Sequence, residues 1–102
     1  MIKHVVMWKF KDIAEGRGRH ENLQQARDML MGLADKIPEI RTLEVGIDLV
    51  HSPQSYDLAL IAEFDSAADL EMYRDHAEHQ RVVRFLRTVH AGRVVVDYEG
   101  GS

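Results

Sequence analysis

Several features are missing from this chain of 102 residues: it has no cysteine, only two prolines, and no long uninterrupted apolar run. Without cysteine, the protein forms no disulfide, no thiolate metal site and no cysteine nucleophile. Without a long apolar run, we expect neither a signal peptide nor a membrane span. These absences predict a cytoplasmic protein with no membrane partner.

Positive charge is also scarce: the chain has thirteen Lys and Arg and seventeen Asp and Glu, which gives a net charge of -4. This is the wrong sign for a protein that gains affinity by neutralising phosphates, so we expect no nucleic-acid partner. The length fits one domain, and 45% hydrophobic with 29% charged residues is typical of a globular chain. Six histidines remain as the main candidates for chemistry near neutral pH.

Apolar periodicity predicts four strands and two helical regions. The predicted strands are 2–10, 42–49, 56–64 and 93–99. One helical region ends before Pro38; the other opens at Ser66 and is disturbed around 76–79, so one bent helix or two short ones fit equally well. The order βαββαβ predicts an α+β, ferredoxin-like fold, in which two helices cover one face of a four-stranded antiparallel sheet.

The second face of the predicted sheet is too apolar for a monomer. We place on it Val5, Met7, Ala59, Ile61 and Val95, set among Lys3, Lys9, Glu63 and Asp97. This pattern predicts that a second copy covers the face in a homodimer. We assign residues 1–99 to a single domain and expect 100–102 to form a flexible tail.

Five segments, in order along the chain, resemble a known family. They are 3–12, the Ile37-Pro38 turn before 43–46, the helix start at 64–66, the segment 73–79, and 96–98. They resemble the dimeric α/β-barrel family, also called the stress-responsive A/B barrel (Dabb) family, over nearly the whole chain. The resemblance implies a homodimer whose sheets pack into a dimeric α+β barrel with the helices outside. Most members of this family have no known reaction, one plant branch is a cofactor-free polyketide cyclase, and others are stress-associated proteins, some of which form large rings.

The resemblance also implies a set of site residues. The segment 73–79 is similar to the one that supplies the catalytic Tyr and His of the cyclase branch, so His79 corresponds to the base and Tyr73 to the hydroxyl that polarises a carbonyl. His4 corresponds to a histidine that lines the cavity in that branch. An imidazole can remove a proton activated by a carbonyl, and a phenol can stabilise the resulting enolate without any cofactor.

A small, largely apolar cavity is expected between the sheet and the helices. We expect Val6, Trp8 and His76 to line it beside the three catalytic candidates.

Other uses of these histidines stay open at this point. They could be structural residues that are hydrogen-bonded at the edge of the core. His76 and His79, one helical turn apart, could join His4 in a zinc site of three imidazoles. Backbone carbonyls near Ala34 and Ile37 could hold a hard cation at the end of the first helix. We assign no metal and no cofactor.

Two functions of different class follow. The first is a homodimer that binds a small carbonyl-containing or polyketide-like molecule and catalyses cofactor-free acid/base cyclisation or isomerisation. The second is a non-catalytic, stress-associated oligomer; a cofactor-free monooxygenase on the same kind of dimer fits the motifs less closely.

The remaining polar residues favour ordinary surface roles. Arginines recur every three residues along the second helical region, which is typical of a solvated stripe, although such a stripe could grip an anionic substrate. They are Arg81, Arg84 and Arg87. Three further histidines fall in or beside loops, where exposure is expected: His20, His51 and His90.

Overall fold

A computed structural model describes residues 1–100 and contains six strands and three α-helices. The strands are β1 (Ile2–Phe10), β2 (Ile13–Ala14), β3 (Arg17–Gly18), β4 (Thr42–Ile47), β5 (Leu58–Phe64) and β6 (His90–Glu99). The helices are α1 (Arg19–Met31), which continues as a 3-10 segment (Gly32–Asp35), α2 (Ala67–Asp75) and α3 (Ala77–Val89). No helix within residues 1–100 is long and apolar enough to cross a membrane.

The main sheet is antiparallel and has the strand order β4-β5-β1-β6. This is the ferredoxin-like α+β fold, so the predicted fold class is confirmed. Along β1 the side chains of His4, Val6, Trp8 and Phe10 are buried, while the residues between them are not. The alternation predicted for β1 is therefore observed, and its buried side faces the hydrophobic core.

The second helical region forms two helices that are separated at His76. Ser66 caps α2 by accepting a hydrogen bond from the Asp69 N–H at 3.2 Å. His76 has extended backbone angles (φ -64°, ψ 136°), and its Nδ1 accepts a hydrogen bond from the Glu78 N–H at 3.1 Å. The same residue therefore ends α2 and caps α3, which resolves the disturbed register in favour of two helices.

Strand β6 has the opposite orientation to the one predicted. Its pairing with β1 sets Asp97 opposite His4 and Val95 opposite Val6, and residues paired in this way project from the same face. Asp97 and Val95 therefore lie on the helix-covered face, and placing them on the second face is wrong. Because consecutive valines at 94–96 are compatible with either orientation, only the register with β1 decides it.

The second face of the sheet nevertheless has an exposed apolar surface, which we call the open face. Its large apolar side chains are between 38 and 54% exposed: Met7, Ile61, Val94, Val96 and Tyr98. The expectation of an apolar second face therefore holds, with Val94, Val96 and Tyr98 in place of Val95.

The end of the described chain is attached to the sheet. Gly100 donates its N–H to the Met1 carbonyl at 2.7 Å, and the Met1 ammonium lies 3.1 Å from the Glu99 carboxylate. Gly100 is the first residue of the tail expected at 100–102. Residues 101 and 102, the rest of that predicted tail, lie outside the described residues.

The short hairpin formed by β2 and β3 is connected to α1 by one buried amide. Asn22 is fully buried, and its Nδ2 donates to the Ala14 carbonyl at 3.1 Å and to the Arg17 carbonyl at 3.4 Å. Removing this amide leaves two carbonyls without that donor in a site closed to water.

We therefore expect Asn22→Ala to lower the free energy of unfolding by about 1–3 kcal/mol, measured by urea denaturation. Asp28→Ala, at an exposed position on the same helix, serves as the control and should change stability by less than about 0.5 kcal/mol. Equal stability of the two variants would show that the Asn22 amide does not hold the hairpin.

Candidate active site

A cavity of about 320 Å³ lies between the main sheet and the helices. Its apolar walls come from both layers: Val6, Trp8 and Leu60 from the sheet, and Leu30, Val83 and Leu86 from the helices. Polar side chains join this lining from α2, from both ends of α3 and from the two strands β1 and β6. The size and the mixture of apolar walls with a few polar groups are typical of a small-molecule site.

His4 is held by a carboxylate on the neighbouring strand. It is buried on β1, and its Nδ1 contacts Asp97 Oδ1 on β6. Arg74, from the last turn of α2, donates to the other oxygen of Asp97 at 2.7 Å. Because an ionised carboxylate only accepts hydrogen bonds, Nδ1 of His4 carries the proton and Nε2 keeps the free lone pair.

His79 is held in the same tautomer by the backbone. Its Nδ1 lies 3.1 Å from the Arg74 carbonyl, which only accepts, so Nδ1 donates and Nε2 is the basic atom. This carbonyl is free to accept because it lies where α2 ends, beyond the reach of the intrahelical ladder. Arg74 therefore orients both histidines, one through its guanidinium and Asp97 and the other through its carbonyl.

Tyr73 lies between the two histidines. Its ring centroid is 4.2 Å from that of His79 and 5.9 Å from that of His4, and Phe64 packs against it from the core at 5.1 Å. The residue lines the cavity, and its hydroxyl makes no hydrogen bond to any group within residues 1–100. The hydroxyl is therefore available to a ligand.

Burial decides the protonation states at this end of the cavity. It lowers the pKa of His4 below the ordinary value of 6.5, against the opposing effect of Asp97. It also lowers the pKa of His79, against the hydrogen bond to the Arg74 carbonyl. Burial raises the pKa of Tyr73 well above its ordinary value of 10.0. Two neutral imidazoles and a protonated phenol are therefore present at neutral pH, which suits proton removal and oxyanion stabilisation.

The structure brings together most of the residues expected at the site, with one exception. His4, Tyr73 and His79 line one cavity, and so do Val6 and Trp8. His76 does not line the cavity, because it forms the junction of α2 and α3, where its ring accepts the Glu78 N–H.

This position of His76 also bears on the zinc alternative. Among residues 1–100, no group of three or more His, Asp or Glu side chains is placed to hold a metal ion. The alternative of a hard cation involves backbone carbonyls at the end of the first helical region. One of these, the Ile37 carbonyl, accepts a hydrogen bond from the Ile40 N–H at 3.2 Å.

Sequence reasoning missed Asp97, Arg74, Arg93 and His90 as members of the site region. Asp97 and Arg93 could not be assigned to the site from the sequence, because only the pairing of β6 with β1 shows that they lie on the helix-covered face. His90 was expected to be exposed beside a loop, but it opens β6, lines the cavity, and has a buried Nδ1. For the part of the cavity near Arg87 and His90, the one signal in the sequence is the three-residue spacing of arginines that includes Arg87.

Comparison with known proteins supplies the family. The family model described as Stress responsive A/B Barrel Domain (Dabb) matches residues 2–100. The chain belongs to this family. A search of curated proteins finds no match to the sequence.

Solved structures similar to this Dabb chain include two bacterial proteins of unknown function that are described as dimeric and ferredoxin-like. The protein from Bacteroides fragilis NCTC 9343 is 29% identical with a TM-score of 0.81, and the match covers 97% of this chain and 95% of that one. The protein from Thermobifida fusca is 26% identical with a TM-score of 0.81, covering 95% and 88%.

A hydroxynitrile lyase from Passiflora edulis is also similar. It is 18% identical with a TM-score of 0.79, and the match covers 95% of this chain and 90% of that chain. At this identity the likeness shows the fold alone.

The lowered pKa values of His4 and His79 predict that the fold weakens in acid. Between the unfolded pKa near 6.5 and the lower folded values, the native state binds fewer protons than the unfolded chain. The stabilisation is therefore complete above about pH 6.5 and is lost as the pH falls through the folded pKa values. We expect the free energy of unfolding to fall as the pH is lowered from about 6.5 through the folded pKa values of the two histidines.

His79→Gln should show a shallower pH dependence than the wild type in urea denaturation. His20→Gln, which removes an exposed histidine, should keep the wild-type slope. The prediction fails if His79→Gln and the wild type lose stability in parallel.

Proposed function

We propose that this Dabb protein binds a small carbonyl-containing molecule in the cavity and catalyses its cyclisation or isomerisation by acid/base chemistry, without a cofactor. The observation that carries the proposal is the hydrogen bond between His79 Nδ1 and the Arg74 carbonyl, which leaves Nε2 as a basic atom. The unpaired hydroxyl of Tyr73 on the adjacent ring supplies the matching acid partner.

In the proposed reaction, His79 Nε2 removes a proton from the carbon next to the substrate carbonyl. The electron pair of that C–H bond moves toward the oxygen and forms an enolate, which Tyr73 stabilises by donating a hydrogen bond. Its raised pKa keeps Tyr73 protonated, so it acts as a donor throughout. The imidazolium of His79 then returns the proton.

Two outcomes follow from the same enolate. If its carbon attacks a second carbonyl in the molecule, a carbon–carbon bond forms, and the proton from His79 neutralises the new alkoxide. If the proton returns to a different atom, the product is an isomer. His4, oriented by Asp97, offers Nε2 as an acceptor for a substrate hydroxyl. A polyketide-like molecule, with carbonyls at regular intervals, suits the first outcome.

We further propose that two copies assemble through the open face. The large apolar side chains there are two-fifths to one-half exposed and come from the neighbouring strands β5, β1 and β6, and an exposed apolar patch of this kind marks an interaction surface. The similar bacterial structures, described as dimeric, support the same assembly. The cytoplasm stays the proposed location.

A non-catalytic, stress-associated oligomer is the second candidate function. It is favoured by an apolar patch away from the open face, where Leu49 is 89% and Val50 is 78% exposed after β4. Such a patch offers surface for assembly beyond a dimer.

Proton exchange at carbon tests the catalytic proposal without knowledge of the natural substrate. In D₂O, we expect the wild-type protein to accelerate deuterium incorporation next to the carbonyl of methyl ketones and 1,3-diketones with short aliphatic tails, as followed by ¹H NMR. His79→Gln should slow this exchange by about 100-fold or more, because the base is lost. Tyr73→Phe should slow it by a similar factor, because the enolate loses its donor.

His20→Gln is the matched control, since it removes an exposed histidine and should leave the rate unchanged. Absence of accelerated exchange across the whole ketone series would overturn the catalytic proposal and leave the oligomer as the function.

The dimer is tested by Val96→Glu, which puts a charge on the open face, where Val96 is 54% exposed. Sedimentation should show twice the mass of one chain for the wild type at micromolar concentration and a folded monomer for the variant. Val50→Glu, the same change at an exposed position outside the face, should stay dimeric. A wild-type monomer, or a dimeric Val96→Glu variant, contradicts the proposed interface.

A further inference from the structure

Toward the C-terminal end of α3, the cavity is lined by two arginines and a histidine. Arg87 comes from α3, Arg93 comes from β6, and His90 lies where α3 passes into β6. Within residues 1–100, neither guanidinium has a carboxylate within 4 Å. Two arginines beside a cavity of apolar walls thus lack a partner of opposite charge.

Two other arginines near this part of the chain are paired with carboxylates. Arg74 pairs with Glu71 and Asp97, and Arg81 lies 3.8 Å from Glu78. Arg84 is also unpaired within the described chain, but it does not line the cavity. Arg87 and Arg93 therefore combine two properties, a free guanidinium and a place on the cavity wall.

His90 adds a polar atom that has no partner. Its Nδ1 is buried and makes no hydrogen bond to any described residue. Burial lowers the pKa of His90, and the nearby charges of Arg93, Lys11 and Arg87 lower it further. No carboxylate offsets these charges, so this end of the cavity favours an anion.

On β6, Arg93 lies between Asp97, which holds His4, and His90 at the start of the strand. Arg93 is opposite Trp8 in the sheet and so projects from the helix-covered face. Its positive charge also lowers the pKa of His4, His79 and Tyr73, which places it within electrostatic reach of the far end.

The length of the cavity separates the two polar ends. His79 and Arg87 are eight residues apart on α3, which corresponds to about 12 Å along the helix. The wall between them includes Val83 and Leu86, and Val6 faces them from β1. A ligand that reaches both ends needs an apolar middle of several carbons.

We propose that Arg93 and Arg87, with His90, form a carboxylate-binding subsite, so that the ligand of this cavity is a small oxo acid. Its carboxylate binds the two guanidiniums, which match a carboxylate in charge and geometry. Its carbonyl lies at the Tyr73 hydroxyl, and an apolar chain joins the two groups. This inference rests on the proposed function for the carbonyl end, whereas the carboxylate end has its own test.

Calorimetric titration with three probes of similar length tests the subsite: 7-oxooctanoate, its uncharged methyl ester, and octanoate, which has no ketone. In a buffer free of carboxylate and phosphate ions, we expect both acids to bind the wild type about tenfold more tightly than the ester. Arg93→Gln and Arg87→Gln should each weaken the acids about tenfold and leave the ester unchanged. Circular dichroism confirms the fold of each variant, and Arg93→Lys serves as a charge-retaining second variant with intermediate affinity.

Arg84→Gln is the matched control, since it removes the same charge one turn away, outside the cavity. It should leave the affinity for all three probes unchanged. The subsite is overturned if the acids bind no more tightly than the ester, if the wild type binds neither acid at millimolar concentration, or if Arg84→Gln weakens the acids as much as Arg93→Gln.

Failure of the proposed function gives a different pattern. Octanoate binding that depends on Arg93, without deuterium exchange into 7-oxooctanoate, supports the subsite and removes the enolate chemistry. Equal exchange into the acid and its ester, unchanged in Arg93→Gln, supports the enolate chemistry and removes the subsite.

Discussion

Strand β1 pairs with β5 on one side and with β6 on the other, and the rest of the site depends on this double pairing. Because side chains alternate along a strand, the register assigns every residue of three strands to the helix-covered face or the open face. The pairing of His4 with Asp97 is one result. A shift of β6 by one residue would remove the carboxylate from His4 and the guanidinium of Arg93 from the cavity.

The junction between α2 and α3 serves both folding and chemistry. Interrupting the helix at His76 leaves carbonyls at the end of α2 without intrahelical partners. One of them, the Arg74 carbonyl, accepts a hydrogen bond from the protonated Nδ1 of His79. Gln80 Nε2 donates to the same oxygen at 2.6 Å. A continuous helix would have used this carbonyl for its own ladder, so the break is what gives His79 a defined tautomer.

The two faces of the sheet differ in what they carry: the candidate site lies on the helix-covered face and the exposed apolar surface on the open face. On the helix-covered face, burial keeps both imidazoles neutral, because an ion in that site would lose its hydration. On the open face, burial of the apolar side chains against a second copy is favourable, because it removes apolar surface from water. A dimer through the open face leaves the cavity on the other side of the sheet uncovered, so assembly and ligand binding are compatible.

The sequence by itself determined the fold class, and it also identified the two histidines and the tyrosine that are candidates for the site. Strong alternation in β1 and β5, helical spacing and turn signals act locally, and the family resemblance places Tyr73, His79 and His4 directly. Only the tertiary structure decided which face Asp97 and Arg93 occupy, because the valines of β6 are compatible with both orientations. It also decided that His76 lies outside the cavity while His90 lines it, since burial depends on which elements pack together and not on local pattern.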